Sequence, residues 1–242
     1  MYLSKGKVTM KYYLENTEAV LQEVGSGENG LSQAEADRRL AEFGKNKLAE
    51  KKKDSFIKRF FAQLADPMII LLLVAAVISG VIAVAEGETL ADVFIILFVV
   101  IMNAVLGVVQ ESKAEQAIEA LKEMSAATSK VIRDGMIKIV KSEDLVKGDV
   151  IVIEAGDSIP ADARILESAS LKIEEAALTG ESVPAEKTAA TLKASGKDVP
   201  LGDRTNMMYM GSTAVYGRGK AVIVETAMQT EVGKIADAIA QA

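Results

Sequence analysis

The sequence contains no cysteine, no histidine and no tryptophan. Without cysteine there is no disulfide and no thiolate metal site. Without histidine the usual zinc site, the Ser-His hydrolase arrangement and the commonest general base are excluded. Acid–base chemistry must therefore come from carboxylates, lysine or tyrosine. Half of the 242 residues are hydrophobic, yet aromatics make up only 5%. A formal charge of −6 argues against nucleic acid as a partner. The most informative absence is local: from Phe60 to Ser112 there is not one lysine or arginine. No signal peptide is expected, since the first long apolar run begins beyond residue 60.

Two apolar runs fill that uncharged interval. Pro67 to Ala85 is 19 residues of almost unbroken Ile, Leu, Val, Ala and Met; Val93 to Val109 is 17, interrupted only by Asn103 and Gly107. A bilayer core takes roughly 20 apolar residues per helix, so both runs are read as spans, at about 64–85 and 92–109. A buried pair of core helices is the competing reading, and it fits less well because each run is apolar all round. Of the 28 basic residues 12 precede the hairpin and 16 follow it. The positive-inside rule then places both flanks, and both termini, in the cytoplasm, with the acidic loop Glu86 to Asp92 outside. The helical pattern continues from Gln110 to Leu121, with Ala114, Ala117, Ile118 and Leu121 on one face. Val93 to Leu121 as one helix is about 43 Å long, against a hydrocarbon core of about 30 Å. About 13 Å is thus expected to project as a stiff cytoplasmic stalk.

Before the hairpin, Met1 to Lys11 is polar, basic and expected to be loose. Asn16 or Thr17 can cap a short helix carrying Ala19, Val20, Leu21 and Val24, which the glycines of 25–30 break. Ser32 and Glu35 form a capping box for a helix from Gln33 to about Phe43, stopped by Gly44. Two such helices cannot build a core alone and should dock on a later part of the chain. After the hairpin the period changes to that of short strands. Asp134-Gly135 marks a hairpin, Val150 to Ile153 a strand, and Ile159 to Leu166 a turn followed by a strand. Leu171 to Glu174 alternates, and Thr191 to Asp203 reads as an exposed loop. Met207 to Ala214 and Lys220 to Thr226 read as paired strands around Gly217-Arg218-Gly219. Thr230 and Glu231 open a last helix with Val232, Ile235, Ala236 and Ile239 on one face. The expected division is 1–54, a helical segment docked on the β domain; 55–124, the hairpin with its stalk; and 125–242, the all-β domain.

Within the β domain the chain is organised around Leu178-Thr179-Gly180-Glu181-Ser182-Val183-Pro184. Gly180 allows a positive φ or a close approach by another molecule, and Pro184 stops strand pairing. Glu181 is presented as a lone carboxylate, a reasonable way to hold a general base against water. The same residues also describe a surface turn with an ordinary solvated glutamate.

The flanking residues distinguish these two. Gly30-Leu31-Ser32 through Arg39-Leu40, Gly44-Lys45-Asn46, Gln110-Glu111 with Ala114-Glu115, Ala120-Leu121-Lys122, Gly148-Asp149, Gly156-Asp157, Pro160-Ala161-Asp162 and the 178–184 loop occur in one order. Together they resemble the N-terminal third of a P-type cation-transporting ATPase, of the bacterial calcium-pump type. The resemblance implies that the β domain is an actuator domain, a distorted jelly-roll with a few docked helices, and that the hairpin is the first two of the pump's membrane helices. It implies that Thr179, Gly180 and Glu181 reach an aspartyl phosphate, and that Glu181 positions or deprotonates the attacking water. It implies Mg2+ and ATP for the complete pump and no cofactor in this chain. The implied partners are the lipid bilayer, the phosphorylation and nucleotide-binding domains, the remaining membrane helices and the transported cation.

The family's Asp-Lys-Thr-Gly-Thr phosphorylation motif does not occur in this sequence. The chain alone is therefore expected neither to hydrolyse ATP nor to pump, as a truncated gene product, a split-pump component or an expressed fragment. A non-catalytic, membrane-anchored regulator of a full-length pump is the alternative. Calcium is the expected ion, with H+, Na+/K+ or Mn2+ as alternatives, and the expected location is the plasma membrane. Asp66, Glu86 and Glu88 could attract cations at the two ends of the hairpin. Equally, Asp66 could cap a helix beginning at Pro67, and the acidic loop could simply be soluble. Asn103 and Gly107 are expected to serve helix packing, and Lys51 to Lys53 to touch anionic lipid.

Overall fold

The computed structural model describes residues 10–49, 55–124, 127–193 and 198–241. Residues 1–9 of the expected loose segment Met1 to Lys11, the Lys51 to Lys53 run and the junction at 125–126 lie outside them. In chain order the elements are α1 (Thr17–Glu23), α2 (Gln33–Phe43), α3 (Phe56–Leu64), α4 (Pro67–Glu86), α5 (Ala91–Met124), β1 (Thr128–Arg133), β2 (Met136–Lys141), β3 (Val150–Glu154), β4 (Asp162–Glu174), α6 (Ala176–Thr179), β5 (Ala185–Glu186), β6 (Met207–Met208), β7 (Thr213–Glu225) and α7 (Glu231–Gln241). They form two compact units: residues 1–49 with 127–242, and residues 50–126.

The first unit is an antiparallel sheet in the order β2-β1-β3-β7-β4-β5, with β6 paired to β4. Val150 to Ile153 of β3 and Ala221 to Val224 of β7 are unbroken apolar runs because both faces are covered there. Along β7, Ala221 and Ile223 enter one core with Ile151, Ile153, Ile165 and Ile173. Their neighbours Val222 and Val224 enter a second core with Val150, Tyr12, Tyr13 and Val20. The residues before α2 thus close the sheet's second face. Asn16 caps α1 through Ala19 N–H at 2.8 Å, and Ser32 caps α2 through Glu35 N–H at 3.2 Å. Asp134-Gly135 turns β1 into β2 with positive φ at both residues, 55° and 72°.

One reading of the sequence fails here. The residues around Gly217-Arg218-Gly219 are not a turn between paired strands. β7 runs through them as a single strand, pairing with β3 and β4, while β6 shrinks to two residues on β4. Gly217 has φ 74°, and a Cβ there would stand 2.3 Å from Ser170 O. Glycine in this position marks close backbone approach inside a strand, where β4 has its own positive φ at Ser170 and a register shift. Likewise the two segments read near Ile165 and Leu171 are one long strand, β4. The loop from Thr191 is exposed at Thr191, Lys193, Asp198 and Pro200, but Leu192, Val199 and Leu201 pack against the second core.

The second unit contains two helices long and apolar enough to cross a membrane, Pro67–Glu86 and Ala91–Ile118. The first starts at Pro67 because Asp66 Oδ1 accepts Met68 N–H at 2.8 Å and proline suits the first helical position. Its buried residues Ile69, Ala76 and Ala83 recur every seventh position, and on α5 Val100, Ala104 and Val108 recur every fourth. Small residues in these stripes let the two backbones approach. α3 was not legible as a helix in its own right. Ser55 caps it, and Arg59 Nη1 meets Glu115 Oε2 of α5 at 2.8 Å. Gly107 does serve packing, since a Cβ there would stand 2.7 Å from Gln63 Oε1, whereas Asn103 is exposed. α5 continues unbroken for 34 residues, about 51 Å at 1.5 Å per residue.

Candidate functional site: an exposed carboxylate on a pinned loop

The loop between β4 and β5 begins with the single turn α6. The C=O of Glu175 accepts from Leu178 N–H and Thr179 N–H, each at 2.9 Å, and from Thr179 Oγ1 at 3.1 Å. Gly180 ends the turn in the left-handed region, φ 76°, with its N–H donating to Ala176 O at 2.9 Å. No atom lies within 4 Å of where its Cβ would be. Glycine is therefore needed for the backbone conformation and leaves an open face beside the loop. Thr179 Oγ1 in turn accepts Glu181 N–H at 3.2 Å. Glu181 follows with its side chain exposed, and no hydrogen bond or ion pair reaches its carboxylate among the described residues. Val183 beyond it is 78% exposed. Thr179, Gly180 and Glu181 are thus adjacent, two in a hydrogen-bonded turn and the third standing free.

Sequence reasoning missed two neighbours of this loop. The 3-10 turn Leu201–Asp203 passes beside it, and a Cβ on Gly202 would lie 3.5 Å from Thr179 Cγ2 and 3.8 Å from Glu181 Oε1. Beneath the loop Lys187 Nζ meets Glu175 Oε1 at 2.6 Å, with both side chains buried. No local pattern announces either contact; the first joins residues more than 20 apart and the second joins the two ends of the loop.

The other motif residues hold the scaffold. Asp149 is fully buried; its Oδ1 accepts Arg133 Nε at 2.8 Å, and its Oδ2 accepts Arg133 Nη2 at 2.6 Å and Val146 N–H at 2.9 Å. Asn46 donates to Ser142 O and Pro160 O and accepts Ala227 N–H, joining three segments. Arg39 Nη1 donates to Val24 O and Lys147 O at 2.7 Å each. Arg164 has no carboxylate partner among the described residues. Its guanidinium donates to the carbonyls of Tyr12, Glu15, Ile165, Ala189 and Asn206, and burial pushes it down to about 10.

Asp162 accepts Met210 N–H and Glu231 N–H, one on each oxygen, at 2.9 and 2.8 Å. Burial pushes its carboxyl up to about 6, against the pull of those two donors. The unfolded value is about 3.9, so between about pH 4 and 6 the folded state binds a proton that the unfolded state does not. Stability is therefore lost as pH rises through that window and is flat above it, by on the order of 2–3 kcal/mol. Asp162→Asn is expected to abolish this component. It also turns an NH2 toward a backbone N–H, costing about 1–3 kcal/mol. Urea midpoints of the detergent-solubilised chain at pH 4.5 and 7.5 measure it, as the difference between wild type and variant.

At the hairpin, Asp66 is accounted for as a helix cap, and Glu86 and Glu88 are exposed at the α4–α5 turn. Among the described residues no three Asp or Glu are grouped so as to hold a metal ion.

Residues 123–240 match the P-type ATPase actuator domain, and residues 12–79 match the cation transporter/ATPase N-terminus. The chain is similar to a calcium-transporting ATPase 1 of Bacillus cereus, 45% identical over 234 residues, covering 96% of this chain and 26% of that protein. It is similar to a calcium-transporting ATPase of Bacillus subtilis, 45% identical over 217 residues, covering 90% and 24%. It is also similar to a sodium/potassium exporting P-type ATPase 2 of Saccharomyces cerevisiae, 34% identical over 229 residues, covering 94% and 20%. The chain spans about a quarter of the length of the bacterial calcium-transporting relatives, 24–26%.

Proposed function

This chain belongs to the P-type cation-transporting ATPases, carrying their N-terminal segment and actuator domain, and from that we propose that it is the part of an ion pump that ends each phosphorylation cycle. Glu181 is its working group. The observation that supports this is the exposed carboxylate, without a partner among the described residues, beyond a turn fixed by Thr179 and Gly180. An aspartyl phosphate carries negative charge and repels hydroxide. Neutral water held in line by a carboxylate avoids the repulsion. It loses its proton to that carboxylate as its oxygen bonds to phosphorus and the P–O bond to the aspartyl carboxylate breaks, releasing inorganic phosphate and free aspartate. Gly180, with no side chain, lets the turn approach the phosphoryl group, and the Thr179 hydroxyl sits beside it. The phosphoryl acceptor, ATP and Mg2+ belong on this proposal to parts of the pump outside this chain. The segment alone hydrolyses no ATP.

Hydrolysis is coupled, on the same proposal, to movement of α4 and α5 as the first two helices of a multi-pass protein in the plasma membrane, with both flanks of the hairpin cytoplasmic. The named bacterial relatives transport calcium, and calcium is the proposed ion here. Inside-out vesicles holding the full-length pump that carries this segment are expected to accumulate calcium on addition of ATP. Accumulation of manganese, sodium or protons in its place would reassign the ion. The proposed role of Glu181 is tested by the lifetime of the phosphoenzyme when that carboxylate is neutralised.

A further inference from the structure

Eleven residues, 176–186, separate Glu175 from Lys187, and the middle of that segment faces solvent. Its two feet do not. Glu175 is 3% and Lys187 0% exposed at the side chain, and their charged atoms meet at 2.6 Å as an ion pair, with no hydrogen-bond partner for either atom among the described residues. The Lys187 backbone is fixed to β4: its N–H donates to Leu171 O at 2.8 Å, and its C=O accepts Ser168 Oγ at 2.7 Å. The Glu175 backbone carries the turn, since its C=O accepts both N–H and Oγ1 of Thr179, and Oγ1 accepts Glu181 N–H. One short line of contacts thus runs from the strand through the ion pair and Thr179 to Glu181. Burial works against the pair, pushing the Glu175 carboxyl up and the Lys187 ammonium down. An apolar pair of similar volume would fill the space with no charge to desolvate, so stability alone is a poor reason to place an ion pair there.

We propose that Glu175 and Lys187 are positioning residues for Glu181, an ion pair across the feet of the loop that fixes how far, and in which direction, its carboxylate reaches toward the phosphoryl group. The proposal rests on the reading of Glu181 given above. It assigns these two residues no contact with substrate. Their effect is on phosphoenzyme breakdown and not on its formation, because only breakdown uses the loop.

The test replaces both charges, Glu175→Leu with Lys187→Met, so that no buried charge is left alone. In the full-length pump this variant is expected to form phosphoenzyme at the wild-type rate and to break it down about 10- to 100-fold more slowly, the scale of loss that a misplacement of about 1 Å produces. In the 242-residue chain, amide hydrogen exchange over 176–186 is expected to rise about tenfold, with β3 and β7 unchanged and the urea midpoint close to wild type. Wild-type breakdown with wild-type loop exchange overturns the proposal. If the double variant does not fold, the isosteric Glu175→Gln is read on the same two measurements, and wild-type values there overturn it equally. Loss of folding in both variants also overturns it, since the pair is then only a stability element. If Glu181→Gln itself leaves breakdown unchanged, the function proposed for the loop fails, and loop exchange alone decides whether the pair positions it.

Discussion

Glu181→Gln in the full-length pump is expected to leave phosphoenzyme formation intact and to slow its breakdown by about 100- to 10,000-fold, the range contributed by a positioned general base. Glutamine has the same length and leaves the turn unchanged, because the bonds that shape it run through Thr179 and the Glu175 carbonyl. It can still touch water, but it cannot take a proton. The side chain is exposed and its carboxylate has no partner among the described residues, so the substitution should move stability by no more than about 0.5 kcal/mol, and slow breakdown would not be a symptom of misfolding. Acid-quenched phosphoenzyme, labelled from ATP and then chased with unlabelled nucleotide, gives the decay rate. Decay at the wild-type rate would remove Glu181 from the chemistry altogether.

Asp149→Ala is the substitution expected to damage the fold most, by about 3–5 kcal/mol, because it strands a buried guanidinium. Arg133 and Asp149 are both buried and share two hydrogen bonds, and the carboxylate also holds Val146 N–H. Alanine leaves Arg133 Nε and Val146 N–H without the acceptor they use, and leaves Arg133 Nη2 with the Asp144 carbonyl alone, at 3.2 Å. The exposed pair Arg38–Glu42, at a similar distance of 2.6 Å, gives the contrast: breaking it should cost about 0.5 kcal/mol or less. Urea unfolding of the detergent-solubilised chain measures both. The double variant Arg133→Met with Asp149→Leu should recover much of the loss; failure to do so would mean that the pair's geometry, and not its charge balance, is what β1 and β3 need.

What the sequence shows and what it hides divide along sequence separation. Asn16, Ser32, Gly44, Asp66 and the Asp134-Gly135 turn act within four residues of their own position, and each is found doing what its residue type suggests. The two apolar runs are legible because length and composition suffice. The loop at 178–184 is legible because its backbone requirement falls on one glycine. Gly217 carries the same local signal as a turn glycine, but its partner is Ser170 on another strand, and nothing near it in sequence says so. Asp149 and Asp162 look like members of a motif until the structure supplies Arg133, Met210 and Glu231. Glu175 and Lys187 look like two ordinary surface charges flanking a polar turn; only the register of β5 on β4, Lys172 with Glu186 and Ile173 with Ala185, brings them together.

The uninterrupted 34 residues of α5 carry angular phase as well as length. One residue inserted between Gln110 and Ile118 would turn everything beyond it by about 100° while lengthening the rod by only about 1.5 Å. Seven inserted residues would return the azimuth to within about 20° while adding about 10.5 Å. A pump that tolerates seven but not one transmits torque through this helix; one that tolerates one but not seven transmits thrust.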